Sequence, residues 1–115
     1  MIVVIFELEA AEGKRDDYLQ FAAELKPLLS QMDGFISIER FQSLSHPEKL
    51  LSISFWRDEA SVAQWRNIEQ HRLAQAEGRR HIFAGYRLRV ASVLRDYSLD
   101  ERREEAPMDS QEFHR

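Results

Sequence analysis

Apolar residues recur with two different periods along the chain, and each change of period marks a new element. Residues 1–9 are apolar on both alternating faces as far as Phe6, which is typical of a strand covered on both sides. Residues 14–32 instead repeat apolar side chains with the period of a helix, and Gly34 suits its left-handed C-terminal cap. The pattern therefore predicts a strand followed by an amphipathic helix.

Two further strands follow, at residues 35–42 and 50–56, joined by a polar loop that contains a His-Pro step. Simple alternation places Phe35 and Phe41 on one face of the strand at residues 35–42 and Ile36 on the other. The two strands are predicted to form a hairpin.

A second helix and a final strand complete the pattern. Asp58 is a good N-cap, Trp65 lies on the apolar stripe that follows it, and Gly78 is expected to end the helix. Residues 82–97 then alternate like a long strand. The predicted order is βαββαβ, an α+β fold with a four-stranded antiparallel sheet.

One face of this sheet is predicted to lack cover within the chain. Right-handed crossovers place both helices on the same face, yet the first strand is apolar without a break from Ile2 to Phe6. Because no element is left to cover the second face, we expect a second copy of the chain to do so, as a homodimer. A monomer with an open, partly apolar sheet is the alternative.

Length and composition fit one small globular domain. The chain has 115 residues, of which 43% are hydrophobic and 31% charged, and we assign residues 1–97 to the domain and 98–115 to a charged tail. Ser98 and Glu101 have the spacing of a capping box, so the tail could begin with a short helix that Pro107 would stop. The tail otherwise has the composition of a solvated terminus.

The lack of cysteine, the net charge and the lack of long apolar stretches argue against several classes of function. The absence of cysteine excludes disulfides, thiolate metal sites and a cysteine nucleophile. A net charge of −4 opposes nucleic-acid binding. No apolar stretch has the length of a signal or membrane segment, so no membrane association is expected and a cytoplasmic location is predicted.

Isolated residues carry the candidate chemistry, because none of the common catalytic or phosphate-binding motifs is present. His71 could act as a general base near neutral pH, or it could be a surface histidine. Trp65 could line a pocket or anchor the core. A basic cluster could hold an anionic ligand, or it could form ordinary ion pairs with the acids of neighbouring strands. The cluster consists of Arg79, Arg80, His81, Arg87, Arg89 and Arg95, and the acids are Glu7, Glu9 and Glu39. The histidines and acids have no convincing metal-ligand spacing, so no metal is expected.

Several segments together resemble the antibiotic biosynthesis monooxygenase family over residues 1–97. They are Met32-Asp33-Gly34-Phe35, the strand LLSISFW with the following RDEASVAQW, the Trp65 to His71 spacing and the closing block GYRLRVASVLRDY. The resemblance implies a ferredoxin-like fold and a homodimer whose sheets pack face to face as a dimeric α+β barrel. It also implies a small-ligand pocket between the helices and the sheet of each subunit.

The resemblance further implies an activity. Some members of the family oxidise aromatic phenols or quinols with molecular oxygen and without metal or flavin, so we expect a cofactor-independent monooxygenase acting on a small aromatic or quinol-like ligand. His71 matches a histidine often found at this helix position and is the expected base or proton shuttle. Trp65, Phe6, Phe41 and Phe55 are the expected substrate-binding residues.

Two alternatives remain open at this point. The first is a non-catalytic dimer that binds a small ligand, since the fold supports many functions. The second is haem binding or degradation, for which related proteins use an Asn on the first strand and a His after the helix tryptophan. Phe6 and Gln75 stand at roughly these places here, which argues against haem cleavage.

Overall fold

The computed structural model describes residues 1–101, apart from the side chains of residues 77–80. It contains the predicted βαββαβ order, with four antiparallel strands and two helices. The elements are β1 Ile2–Ala10, α1 Arg15–Ser30, β2 Phe35–Gln42, β3 Lys49–Trp56, α2 Glu59–Arg80 and β4 Phe83–Ser92. The predicted fold class is thereby confirmed.

The strand order β2-β3-β1-β4 places the N-terminal strand in the interior of the sheet, where its unbroken apolar sequence belongs. Ile5 lies opposite Ile53 on one side and Arg89 on the other. Burial on β3 alternates strictly, because Leu50, Ser52, Ser54 and Trp56 face the helices. The intervening residues face away from both helices.

The alternation predicted for β2 is wrong at its start. The register slips between Phe35 and Ser37, so two residues on β2 span one step on β3. Phe35 therefore packs on Trp56, with ring centroids 5.3 Å apart, and belongs to the helix-covered face. Ile36 is 53% exposed, while Phe41 lies on the uncovered face.

The core fills the space between the helices and the covered face of the sheet. Trp56 and Ile82 are completely buried. Burying such large apolar side chains is the main favourable contribution to folding. The core consists of Leu8, Tyr18, Phe21, Ala22, Leu25, Leu29, Leu50, Trp56, Val62, Trp65 and Ile82.

A compact polar junction fixes the start of α2. Asp58 caps the helix, because its Oδ1 accepts bonds from the Ser61 backbone N–H at 2.9 Å and from the Ser61 hydroxyl at 2.7 Å. These bonds hold the pKa of Asp58 near 2. Arg57 donates to both carboxylate oxygens of Asp33, at 3.2 and 3.0 Å. Gly34 lies inside this junction with φ +84°, a backbone conformation that favours glycine. A Cβ at this position would also overlap the Ser61 side chain.

Two predicted boundaries are wrong. The helix α2 passes through Gly78 and ends at Arg80, and His81, at φ 51°, turns the chain towards β4. Glycine weakens a helix interior by only about 1 kcal/mol, so it does not by itself end one. The strand β4 ends at Ser92, because this residue pairs with Ile2, where the partner strand β1 begins.

After β4 the chain continues without regular structure as far as it is described. The Glu101 backbone N–H donates to the Ser98 hydroxyl at 2.9 Å, as the capping-box spacing predicts. The expected helix up to Pro107 lies outside the described residues. Neither described helix is long and apolar enough to span a membrane.

The uncovered face of the sheet combines an apolar centre with a charged end. Val3, Ile5 and Ile53 lie at the centre, only partly buried by neighbouring strands. At the end, Glu7 bonds Lys49 at 2.8 Å and Arg89 at 3.0 Å. These cations lower the pKa of Glu7 to about 2. Arg89 thus forms the cross-strand ion pair that was one of its two predicted roles.

Candidate functional site

A cavity lies between the two helices and the covered face of the sheet. Its volume is about 80 Å³, which is room for several waters or a small organic molecule. Its walls come from all four strands and both helices. They are Val4, Phe6, Tyr18, Phe21, Ala22, Leu25, Leu29, Ile38, Arg40, Ser52, Ser54, Val62, Trp65, Arg66, Glu69, Leu88 and Val90.

Most of this wall is apolar and rigidly packed. Trp65 stacks on the fully buried Trp56, with ring centroids 6.4 Å apart. Phe6 packs edge-on against Phe83 at 6.0 Å. Such ring contacts fix the shape of the cavity, because aromatic side chains in a packed core have few rotamers to exchange.

One ionisable acid lies in the cavity wall. Glu69 is partly buried, and its Oε2 accepts a hydrogen bond from the Trp65 indole N–H at 3.3 Å. Burial raises the pKa of Glu69 above the ordinary value of 4.5, although the Trp65 bond and the charge of Arg40 oppose the rise. A carboxylate destabilised in this way readily accepts a proton.

Tyr18, Arg40 and Arg66 carry further polar groups of the lining, together with the hydroxyls of Ser52 and Ser54. Tyr18 is only 3% exposed, and burial raises its pKa while the neighbouring Arg40 opposes the rise. Arg40 is itself exposed, so it stands where the cavity meets solvent. The cavity therefore has an apolar interior and a charged rim.

The structure separates the predicted site residues into three groups. Trp65 and Phe6 both line the cavity. Phe41 and Phe55 are not among its lining residues, because strand alternation turns them to the uncovered face. His71 is exposed on α2 and also lies outside the lining. The geometry of this chain thus supplies no contact between His71 and the cavity, and its role as a base stays a prediction.

Three cavity residues were not selected from the sequence as site residues. Glu69 follows Trp65 by four positions, so both project from the same side of α2. An acid on the apolar stripe of a helix is a signal that could have revealed it. Tyr18 has the spacing of the apolar stripe of α1, which is also that of an ordinary core residue. Arg40 shares a face with Ile38 by ordinary alternation, but the sequence pattern does not show which face of β2 the helices cover.

The described residues contain no cluster of side chains that could hold a metal ion. Within residues 1–101, as far as their side chains are described, no three His, Asp or Glu residues come together as a metal site. What the cavity offers is a proton acceptor, a phenol and two guanidinium groups beside a mostly apolar chamber. This set can orient a small molecule and remove a proton from it.

The family is decided by comparison with known proteins. The model of the antibiotic biosynthesis monooxygenase family matches residues 1–77. This range includes α1 and most of α2, with Glu69. The chain belongs to this family. The resemblance predicted from the sequence is therefore confirmed.

A relative and two solved structures extend the comparison. A protein of Pyricularia oryzae named jasmonate monooxygenase ABM is 40% identical over 112 residues, covering 97% of this chain but 52% of its own length. The chain thus spans about half the length of that relative.

Among solved structures, Rv0793 of Mycobacterium tuberculosis has a TM-score of 0.72 at 15% identity, covering 84% of this chain and 98% of its own. A variant of MhuD, crystallised with two manganese protoporphyrin IX molecules per active site, has a TM-score of 0.65 at 16% identity and covers 85% and 99%. At this identity both likenesses show the fold alone.

Proposed function

We propose that this domain is a monooxygenase that oxidises a small, largely apolar substrate with molecular oxygen inside the cavity, using Glu69 as the base. The observation that carries the proposal is a partly buried carboxyl, that of Glu69, bonded to the Trp65 indole in the wall of a mostly apolar chamber, where burial raises its pKa. An apolar chamber excludes water from reactive intermediates. A base with a pKa closer to the working pH transfers protons most effectively.

The proposed reaction begins with proton transfer to Glu69 from an acidic O–H or C–H group of the substrate. The resulting carbanion-like anion passes one electron to oxygen, and the radical pair combines to form a carbon–oxygen bond. The peroxide then takes up a proton, which Glu69 can return. Loss of water converts an oxidised CH2 group to C=O, so one oxygen atom enters the product and the other leaves as water. The substrate supplies all four electrons.

Family and relative support the reaction class. The chain belongs to a monooxygenase family, and the relative of 40% identity is named a monooxygenase. The name of that relative points to jasmonate, which would add a small non-aromatic substrate to the aromatic and quinol substrates expected from the resemblance. The small cavity fits a compact molecule better than a macrocycle.

The working unit is proposed to be a homodimer. The apolar centre of the uncovered face, around Ile5 and Ile53, matches the kind of surface that a second copy buries. Phe41 and Phe55, predicted to bind substrate, would then contribute to the subunit interface. The cavity lies on the other face of the same sheet, so dimerisation would stabilise the strands that form one of its walls.

The experiment is an oxygen-uptake screen with isotopically labelled oxygen and a panel of quinols, phenols, anthrone-like compounds and jasmonate. The proposal expects uptake above buffer with at least one compound and a single labelled atom in its product. The absence of enzyme-dependent uptake with every compound would favour the non-catalytic ligand-binding alternative and refute the proposal.

Matched variants then separate the two candidate bases. Glu69→Gln keeps an oxygen to accept the Trp65 bond but removes the base, and loss of a general base slows turnover by about 100- to 10,000-fold. His71→Gln, one exposed position on the same helix, should leave turnover nearly unchanged. The opposite pair of results would transfer the role of base to His71.

A further inference from the structure

The rim of the cavity carries more positive than negative charge. Arg40 and Arg66 both line it, whereas Glu69 is the only acid among the lining residues that the structure describes. Even with Glu69 ionised, the rim keeps a net charge of about +1. The whole chain carries −4, so this local sign is opposite to that of the molecule. Long-range attraction does not bring an anion here, and recognition would depend on local contacts.

Arg40 differs from the arginines that brace the fold. Arg57 and Arg89 each bond carboxylates at 3.0 Å. Arg40 lies close enough to Tyr18 to lower the pKa of that phenol, but among the described residues no carboxylate lies within 4.0 Å of it. Glu69 acts on it only through its charge. Since a guanidinium has five N–H donors, most of those of Arg40 remain available.

Tyr18 lies beside these donors in the cavity lining. Its side chain is anchored in the core at 3% exposure, so it is a fixed neighbour of the guanidinium. A fixed neighbour limits the positions open to a flexible side chain, which reduces the entropy lost when a ligand binds. The planar fork of arginine fits a carboxylate through two parallel bonds.

We propose that the cavity selects a small amphipathic carboxylic acid, whose apolar body enters between helices and sheet while its carboxylate binds Arg40 at the rim. The inference rests on the proposed function for the reaction, but the binding step stands apart from it. It names the substrate class as an acid with a compact apolar skeleton. Arg40 is then a specificity-determining residue.

The test is calorimetric binding of matched acids and amides to the purified protein. The probes are phenylacetate with phenylacetamide and naphthylacetate with naphthylacetamide, each pair alike in shape but different in charge. At least one acid should bind about tenfold or more tightly than its amide, as expected for a charge-assisted hydrogen bond. Arg40→Gln should abolish this preference and leave amide binding unchanged, and Arg40→Lys should retain part of it.

Arg87→Gln, on the opposite face of the sheet, is the matched control and should keep the full preference. Equal binding of acid and amide to the wild type, no acid binding at millimolar concentration, or an unchanged preference in Arg40→Gln would each overturn the inference. A clear acid preference without oxygen uptake would instead refute only the proposed monooxygenase. The two failures are therefore distinguishable.

Discussion

At the scale of single residues, Glu69 shows how a functional group can weaken the fold that carries it. Its carboxylate is partly removed from water, and within the described residues its nearest compensation is one indole N–H at 3.3 Å. The sequence contained a usable sign of this, an acid on the stripe of Trp65. The histidine was easier to select because its ordinary pKa suits a base, but a titratable residue acts only where the fold places it.

We predict that Glu69→Gln stabilises the protein at neutral pH. Because burial raises the folded-state pKa of Glu69 above 4.5, protonation favours the folded state. This contribution is complete below the unfolded pKa and is lost as the pH rises through the folded one. The variant should therefore gain about 1 kcal/mol or less near pH 7 and nothing near pH 4, by urea unfolding.

The charged groups that share the cavity lining with Glu69 are Arg40, from β2, and Arg66, three positions earlier on the same helix, and the Tyr18 phenol lines it too. The first of these opposes the rise in pKa and so limits the gain. Glu12→Gln, at an exposed loop position, is the control and should change stability little at either pH. A destabilised Glu69→Gln at neutral pH would show that the carboxylate is structural.

At the scale of elements, periodicity predicted the six elements because each has one face in a common core. It failed where backbone geometry decides: Gly78 lies within α2, β4 stops where its partner strand ends, and β2 slips by one residue. The slip turns Phe35 onto the covered face, while Ile38 and Arg40 reach the cavity from the regular part of β2. Boundaries and bulges depend on partners distant in sequence, so local pattern contains little information about them.

The two glycines of positive φ allow a matched test of the junction at α2. Gly13, at φ +73°, has open space around it, whereas a Cβ on Gly34, at φ +84°, would overlap the Ser61 side chain. Gly13→Ala should cost about 1 kcal/mol for the backbone alone, and Gly34→Ala about 2 kcal/mol or more. Urea denaturation measures both. Equal losses would mean that the Ser61 contact relaxes at no cost.

At the scale of the whole molecule, the uncovered sheet face is the largest feature that one chain leaves unexplained. Its unbroken apolar strand was visible in the sequence because only two-sided burial favours such a run. The cavity, in contrast, was expected only through the family resemblance, since its shape depends on how the helices pack. The location of Phe41 and Phe55 followed from the register once the strands were paired.

Light scattering tests the proposed dimer. The wild type should have twice the chain mass of 13.6 kDa at micromolar concentration. Ile53→Lys places a charge at the centre of the uncovered face and should yield monomers, whereas Leu19→Lys, at an exposed position on α1, should not. A 13.6 kDa particle for the wild type would contradict the proposed assembly.

The central claim is that Glu69 removes the proton that starts oxidation, and the pH dependence of oxygen uptake tests it most directly. With the best substrate of the panel, the wild-type kcat/KM should rise with pH through a pKa above 4.5, because only the ionised carboxylate accepts a proton. Glu69→Gln should lose this step together with about 100-fold or more of the rate. An unchanged rate and profile in Glu69→Gln would contradict the account.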